Sequence, residues 1–308
     1  MNTLQLALQR YVAMRRGLGF KFQQQEKRLT NFVRFMEERG ATVITHKLAL
    51  EWAMLPQDRR PSWALRLTDV RGFARHLHSL EAQTEVLPTG ILPGPSRAKP
   101  YIYTDTEIRT LLAAALELPP TNGLRRWTYY CLFGLLSVTG LRISEALSLR
   151  RDDVDLAEGI LTIRDTKFGK SRLVPLHATS RHVLVNYAQR RDAHLSPARS
   201  PYFFVAEQGG KLLLQYVYKV FWRLSRQTGL RGQTDHNGPR LHDFRHRFAV
   251  QTLLNCYRSD RSVELILPAL STYLGHTCVR DTYWYLSACP ELMGHTVRKL
   301  EQHWERTS

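Results

Sequence analysis

The residues able to do chemistry gather between positions 139 and 285. Arg142 stands in TGLRISE, Lys167 in DTKFGKSRLVPL, His242 and Arg245 in LHDFRH, His276 after a Leu-Gly pair, and Tyr285 nine residues beyond it. Guanidinium forks stay protonated and match the non-bridging oxygens of a phosphate. A lysine or histidine moves protons, and a phenol can act as a covalent nucleophile. Together these groups suit attack on a phosphodiester. His242 and Arg245 are three apart and share one face of a helix. Glu145, one helical turn after Arg142, is placed to hold that guanidinium. A free phenol ionises near pH ~10, so Tyr285 needs positive neighbours or a base.

Each of these residues also has an ordinary role. A lone arginine is most often a surface ion-pair partner, a lone histidine a packed core group, and a tyrosine beside Trp284 and Leu286 simply buried. Tyr283 competes with Tyr285, and Lys170 with Lys167. Arg247, two residues past Arg245, faces another side of the helix. His242 and His246 have i,i+4 spacing, but HDFRH is not HExxH and no third ligand stands out, so no metal is expected. Gly169-Lys170-Ser171 resembles the end of a P-loop, yet position 164 is Arg where the loop needs Gly, and the segment joins two strands. No nucleotide or other cofactor is expected.

TGLRxSE, the hairpin lysine, HxxR and LGHxxxxxTxxY, in this order from Thr139 to Tyr285 and in a basic chain, resemble the tyrosine recombinase (phage integrase) family. The resemblance implies a site-specific recombinase, the integrase or transposase of a mobile element, that cuts and rejoins DNA through a 3′-phosphotyrosine. Arg142 and Arg245 would hold the phosphate, and His242 and His276 would bind it or take the tyrosine proton. The family pattern puts its lysine before the turn and Arg-x-x-Pro-Leu after it, which favours Lys167 as general acid. The LGH-to-tyrosine spacing favours Tyr285, with Thr282 in the family's threonine position. Double-stranded DNA is the implied partner, met as a homo-oligomer in a tetrameric synapse or with sister recombinases. The rival expectations are a relative that binds DNA without cutting it, and a relaxing enzyme of the type IB topoisomerase kind. The stretch between Arg245 and His276 is longer than in compact members of the family.

Composition agrees with a polyanionic partner. The 308 residues carry a net charge of +17, and the pI is about 10.1. The first ninety residues hold 14 basic and 8 acidic side chains, leaving +11 for the rest. Four cysteines without CxxC pairing suit a reducing cytosol, and Cys278 reads as a packing residue. No signal-peptide pattern opens the chain and no stretch approaches a membrane span, so a cytoplasmic, nucleoid-associated prokaryotic protein with no membrane partner is expected.

The elements that must carry these groups follow from periodicity. Residues 1–88 read as four helices: one ending near Gly17 and Gly19, one closed by Gly40, one capped by Thr45 and one opened by Pro61-Ser62. In the family such a bundle is the core-binding (SAM-like) domain. Residues 89–100, rich in Pro and Gly, form a linker, and 101–308 a mixed α/β catalytic domain. The whole is mainly α with a small β-sheet. Thr104 and Glu107 make a capping box with Tyr103 and Ile108 as its staple. Ile160–Ile163 and Arg172–Leu176 alternate as strands, and Phe203–Val205 suggests a third. Arg15, Arg16, Lys21, Lys27, Arg28, Arg71, Arg75, Arg97, Lys99, Lys170 and Arg172 are the candidate DNA contacts. Met293, Val297, Leu300 and Trp304 make an apolar stripe that must dock on its own domain or on a neighbouring protomer.

General acids contribute about 10²–10⁴ in rate. Lys167→Ala should therefore cleave ordinary DNA slowly, yet recover to within about tenfold of wild type when sulfur replaces the leaving 5′ oxygen, because a thiolate leaves unprotonated. Rescue of Lys170→Ala in place of Lys167→Ala on the same gels would move the role to Lys170.

Overall fold

The computed structural model describes residues 3–55, 60–94, 99–164, 171–196, 200–235, 238–259, 262–276, 278, 280–288, 293–294, 297 and 301. The chain divides into two compact units, Met1–Ala98 and Lys99–Ser308.

The first unit is four helices: α1 (Thr3–Gly17), α2 (Gln23–Glu38), α3 (His46–Met54) and α4 (Arg60–His78). The Thr45 hydroxyl accepts from the Leu48 N–H and starts α3. Leu29, Phe32 and Met36 of α2, Trp52 of α3 and Val70 and Phe73 of α4 are buried together. Trp52 is fixed on three sides: Phe32 meets it edge-on at 5.1 Å, Asn31 accepts its indole N–H at 3.0 Å, and the Arg66 guanidinium lies 3.7 Å over its ring. Several basic residues expected on DNA are engaged inside this unit instead. Arg28 pairs with Asp69 at 2.5 Å, and Arg71 donates to the Leu87 and Pro88 carbonyls. Arg16 pairs with Glu26, and Arg15 stacks over Phe20. Lys21, Lys27 and Arg75 are exposed, as is Lys99 at the start of the second unit.

The second unit opens with α5 (Asp105–Leu116), α6 (Arg125–Thr139) and α7 (Ile143–Ser148). The Thr104–Glu107 capping box forms in both directions, and Tyr103 and Ile108 are both buried in the main core. Helix α6 buries Tyr129, Leu132, Phe133, Leu135 and Leu136, so helices and sheet pack around it. It ends at Gly140, whose φ of 61° is left-handed, and a Cβ there would stand 2.7 Å from the Phe248 ring. A short 3-10 turn leads to a three-stranded antiparallel sheet of β1 (Val154–Asp155), β2 (Ile160–Ile163) and β3 (Arg172–Pro175), with Ile163 opposite Arg172. Leu161, Ile163 and Val174 point inward and Leu173 outward, as alternation requires.

Phe203–Val205 is not a strand. Only isolated bridges form there, Arg150 with Tyr202 and Val205 with Lys211. All three side chains are buried, and much of the backbone hydrogen bonding goes to side chains: the Tyr187 hydroxyl takes the Val205 N–H, Arg191 donates to the Phe203 carbonyl and Thr128 to that of Val205.

Helices α8 (Ala178–His194) and α9 (Leu214–Gln227) complete the main core. Then come α10 (Asp243–Arg258), α11 (Val263–Leu274) and α12 (Arg280–Ala288). These three share a satellite core of Ala249, Val250, Leu253, Leu254, Leu267, Leu270, Leu274 and Tyr285. Arg247 turns away from His242 and Arg245, pairing with Asp105 and donating to the Tyr103 carbonyl. With Tyr103 stacked on Phe244 at 4.6 Å, this fixes the start of α10. Cys278 is exposed, because it falls in the turn between α11 and α12 and not on a packed face. Met293 and Val297 are exposed, while Leu300 and Trp304 lie outside the described residues. Among the described residues no helix is long and apolar enough to cross a membrane.

Gly140→Ala should lower stability by about 2 kcal/mol or more, from the left-handed φ and the contact with Phe248. Gly17→Ala, with open space around its Cβ, should be neutral or slightly stabilising. Urea unfolding compares the two, and equal midpoints would contradict the role given to Gly140.

Candidate active site

The site is assembled at the C-terminal end of α11. Gly275, with φ 67°, turns the chain there, and the Gly275 and His276 N–H groups take the carbonyls of Thr272 and Ser271. That leaves the Tyr273, Leu274 and Gly275 carbonyls at the negative end of the helix. Three arginines from distant parts of the chain supply the missing donors. Arg172, the first residue of β3, donates from Nε to the Tyr273 carbonyl at 2.7 Å. Arg245, in the first turn of α10, donates to the Leu274 carbonyl at 2.5 Å and to that of Gly140 at 3.0 Å. Arg142, the residue before α7, reaches the Gly275 carbonyl at 3.2 Å and that of Leu274 at 3.5 Å.

Glu145 binds two of the three. Its carboxylate accepts from the Arg142 guanidinium at 2.8 Å and the Arg142 backbone N–H at 2.9 Å. It also takes both terminal nitrogens of Arg172, at 3.1 and 2.8 Å. The four acceptor positions of the carboxylate are thereby filled. The Arg172 and Arg142 hydrogen bonds hold its pKa below the usual carboxylate value despite burial. The guanidinium of Arg245 is 1 % exposed, and burial together with the charge of Arg142 pulls its pKa down to about 10.

Tyr285 is brought into this cluster by α12. It is 3 % exposed and hydrogen-bonded to Arg245. The His246 ring meets it edge-on at 5.3 Å, and the His276 ring stacks at 6.0 Å. Tyr283, on the other side of α12, is 54 % exposed. His276 is steadied by the buried Thr282 hydroxyl, 2.8 Å from Nδ1, which leaves Nε2 for the reacting groups. His242 caps the start of α10 at the rim, open to solvent, with its ring 4.8 Å from that of His246. All three imidazoles are disfavoured as cations. Desolvation comes first, followed for His242 and His276 by Arg245 and for His246 by His242, and His276 and His246 fall to about 4.

The structure thus joins Arg142, Glu145, His242, Arg245, His276 and Tyr285 in one place. Lys167, Lys170 and Arg97 lie outside the described residues. Two residues of the cluster are additions to those expected. Arg172, expected on a DNA phosphate, turns inward because Glu145 and the Tyr273 carbonyl offer it a complete set of acceptors. His246 packs against Tyr285, which its place one helical turn after His242 foreshadowed. Cations outnumber anions here by two, three arginines against Glu145, so the cluster is built to receive negative charge.

A structure described as the Tn1549 transposon integrase bound to transposon right-end DNA has the same fold. It aligns at TM-score 0.68 with 16% identity, over 96% of this chain and 98% of that one. Residues 103–291 match the Phage integrase family, and the chain belongs to that family of tyrosine recombinases. It is 50% identical to a putative integrase/recombinase, y4rB, of Sinorhizobium fredii over 99% of both chains. It is 30% identical to the tyrosine recombinase XerD of Bradyrhizobium diazoefficiens, over 78% of this chain and 75% of that protein.

The histidine shifts carry a pH dependence. Below pH ~6.5 the unfolded chain binds protons that His246 and His276 refuse until about pH 4. Their contribution to stability is full above pH ~6.5 and is lost as pH falls towards 4, by about 2–3 kcal/mol for the buried His246. Proton NMR of the DNA-free protein should find neither imidazole titrating above pH ~5.5. A midpoint near 6.5 for either would remove it from the cationic cluster.

Proposed function

We propose that the protein is an active DNA strand-transferase that cuts and rejoins duplex DNA through a tyrosine–phosphate bond. The observation that carries this reading is Tyr285, buried in its own chain against Arg245, His246 and His276 while Tyr283 faces solvent. The Tyr285 oxygen attacks the scissile phosphorus and forms a 3′-phosphotyrosine as the bond to the 5′ oxygen breaks. His276, neutral in the DNA-free protein, accepts the phenolic proton at Nε2 once the phosphate anion offsets the arginine charge that weakens it as a base, with His242 at the rim bonding to the phosphate. Lys167 gives a proton to the departing 5′ oxygen. Attack of a phenolate on a phosphodiester monoanion puts two negative charges on the pentacoordinate phosphorus. The two surplus positive charges of the cluster match them, and Arg142 and Arg245 supply the N–H donors. The phosphotyrosine conserves the bond energy, so rejoining by the 5′ hydroxyl needs no ATP.

The first unit is the core-binding domain in this proposal, and its exposed Lys21, Lys27 and Arg75 meet phosphates. Recombination then proceeds in an oligomer on DNA. The exposed Met293 and Val297 support docking of the C-terminal stripe on a neighbouring protomer. Action for a mobile element is supported by the likeness to the Tn1549 transposon integrase and the Sinorhizobium relative.

Tyr285→Phe should bind duplex DNA with wild-type affinity and form no covalent adduct on a nicked suicide substrate, a loss of at least ~10⁴-fold. Tyr283→Phe should form the adduct normally. Denaturing gels read both, and a dead Tyr283→Phe beside an active Tyr285→Phe would overturn the assignment.

A further inference from the structure

We propose that Arg172 is a positioning residue of the strand-transfer site: by occupying both oxygens of Glu145 it keeps the guanidinium of Arg142 turned towards the phosphate. The inference rests on the reading of the site given above.

The donors of Arg172 all point into the protein. Nε is bound by the Tyr273 carbonyl, Nη1 and Nη2 grip the two oxygens of Glu145, and the side chain is only 11 % exposed. It therefore lies behind the site. Arg142, 33 % exposed, lies in front of it and reaches Glu145 with a single terminal nitrogen. A carboxylate and a guanidinium three residues apart could instead form a two-pronged pair, the arrangement each prefers when no competitor is present. Arg172 is that competitor. With the carboxylate oxygens already forked by Arg172, the Arg142 guanidinium keeps one contact to Glu145, gives Nη2 to the Gly275 carbonyl and leaves part of its side chain exposed. Removing Arg172 would let Glu145 draw both terminal nitrogens of Arg142 to itself, away from the phosphate and from the Gly275 carbonyl.

Space reserves this position for Arg172 as well. A Cβ on Gly275 would stand 2.9 Å from Arg172 Nη1, so the tight turn after α11 admits the guanidinium only because the residue there is glycine. Lysine could retain the charge of Arg172 but not the fork. The proposal is therefore about geometry and not about net charge.

The test is Arg172→Lys, with Arg172→Gln, which gives up the fork and the charge together, as the second variant. Adduct formation is measured on two suicide substrates, one with the natural scissile phosphate and one with an uncharged methylphosphonate there, which makes less demand on Arg142. Both variants should bind duplex DNA as wild type does. Each should form the adduct about 10–100-fold more slowly on the phosphate but within about threefold of wild type on the methylphosphonate, the range set by loss of one preorganised donor. Wild-type speed on the phosphate in either variant would overturn the proposal. So would an equal defect on both substrates, or weakened duplex binding, since a merely structural role predicts these. Should Arg172→Lys fail to fold, the structural role is the right one unless folded Arg172→Gln discriminates between the substrates as stated. Failure of the wild-type protein to form a Tyr285 adduct on either substrate would instead strike at the strand-transfer reading itself.

Discussion

Three guanidinium groups share the carbonyl end of one short helix, with a single carboxylate among them, and the rest of the catalytic unit is arranged around that constraint. Burying a guanidinium is unfavourable unless its donors are met. Arg172 and Arg245, both largely buried, meet theirs with the carbonyls of Tyr273, Leu274 and Gly140 and with Glu145. These carbonyls exist as unsatisfied acceptors because α6 and α11 both stop at a left-handed glycine. The arginines therefore act as clasps, tying β3, the α6–α7 turn, α10 and α11 to one another.

The same concentration of positive charge sets the character of its neighbours. Burial first, and then the charge of Arg245, hold the imidazoles beside it neutral, so they add nothing to the cationic field. Arg245, buried and facing another arginine, is less firmly protonated than an exposed one. Both effects describe a cluster whose positive charge exceeds what its own carboxylate balances. An oxyanion bound here, as proposed, would relieve the repulsion between Arg142 and Arg245, and part of its binding free energy would then be stored in the folded protein beforehand.

How much of this was legible in the sequence depended on the range of the interaction. Local chemistry was plain: Thr45 and Thr104 start helices through their own side chains, and Gly140 and Gly275 end them. Arg142, Glu145, Arg245, His276 and Tyr285 stood out because their motifs, taken in order, resemble a known family, and the fold brings them into one cluster. Partners far away in sequence left no such trace. Strand alternation gives the face on which Arg172 lies but says nothing of Glu145, 27 residues earlier, or of a carbonyl 101 residues later. Basic composition registers Arg28 and Arg71 as charge without registering Asp69 or the Leu87 carbonyl. Phe203–Val205 reads as a strand by type, because the hydroxyl and guanidinium groups that satisfy its backbone come from other helices. Cys278 reads as packed because it lies between His276 and Tyr285 in sequence, yet it sits in a turn and is exposed.

Tyr285 belongs to two structures at once, since its hydroxyl bonds to Arg245 while its ring is part of the satellite core. On the proposed function, folding and cutting would therefore make their demands on different atoms of one residue. If a copy of this gene were released from the need to recombine DNA, packing alone would go on demanding a six-membered ring at this position, and only the oxygen would be free to disappear. Decay of function could thus pass through a single lost atom while the fold, the arginine clasps and the duplex-binding surface stayed intact, leaving a protein that still covers its site but no longer opens it.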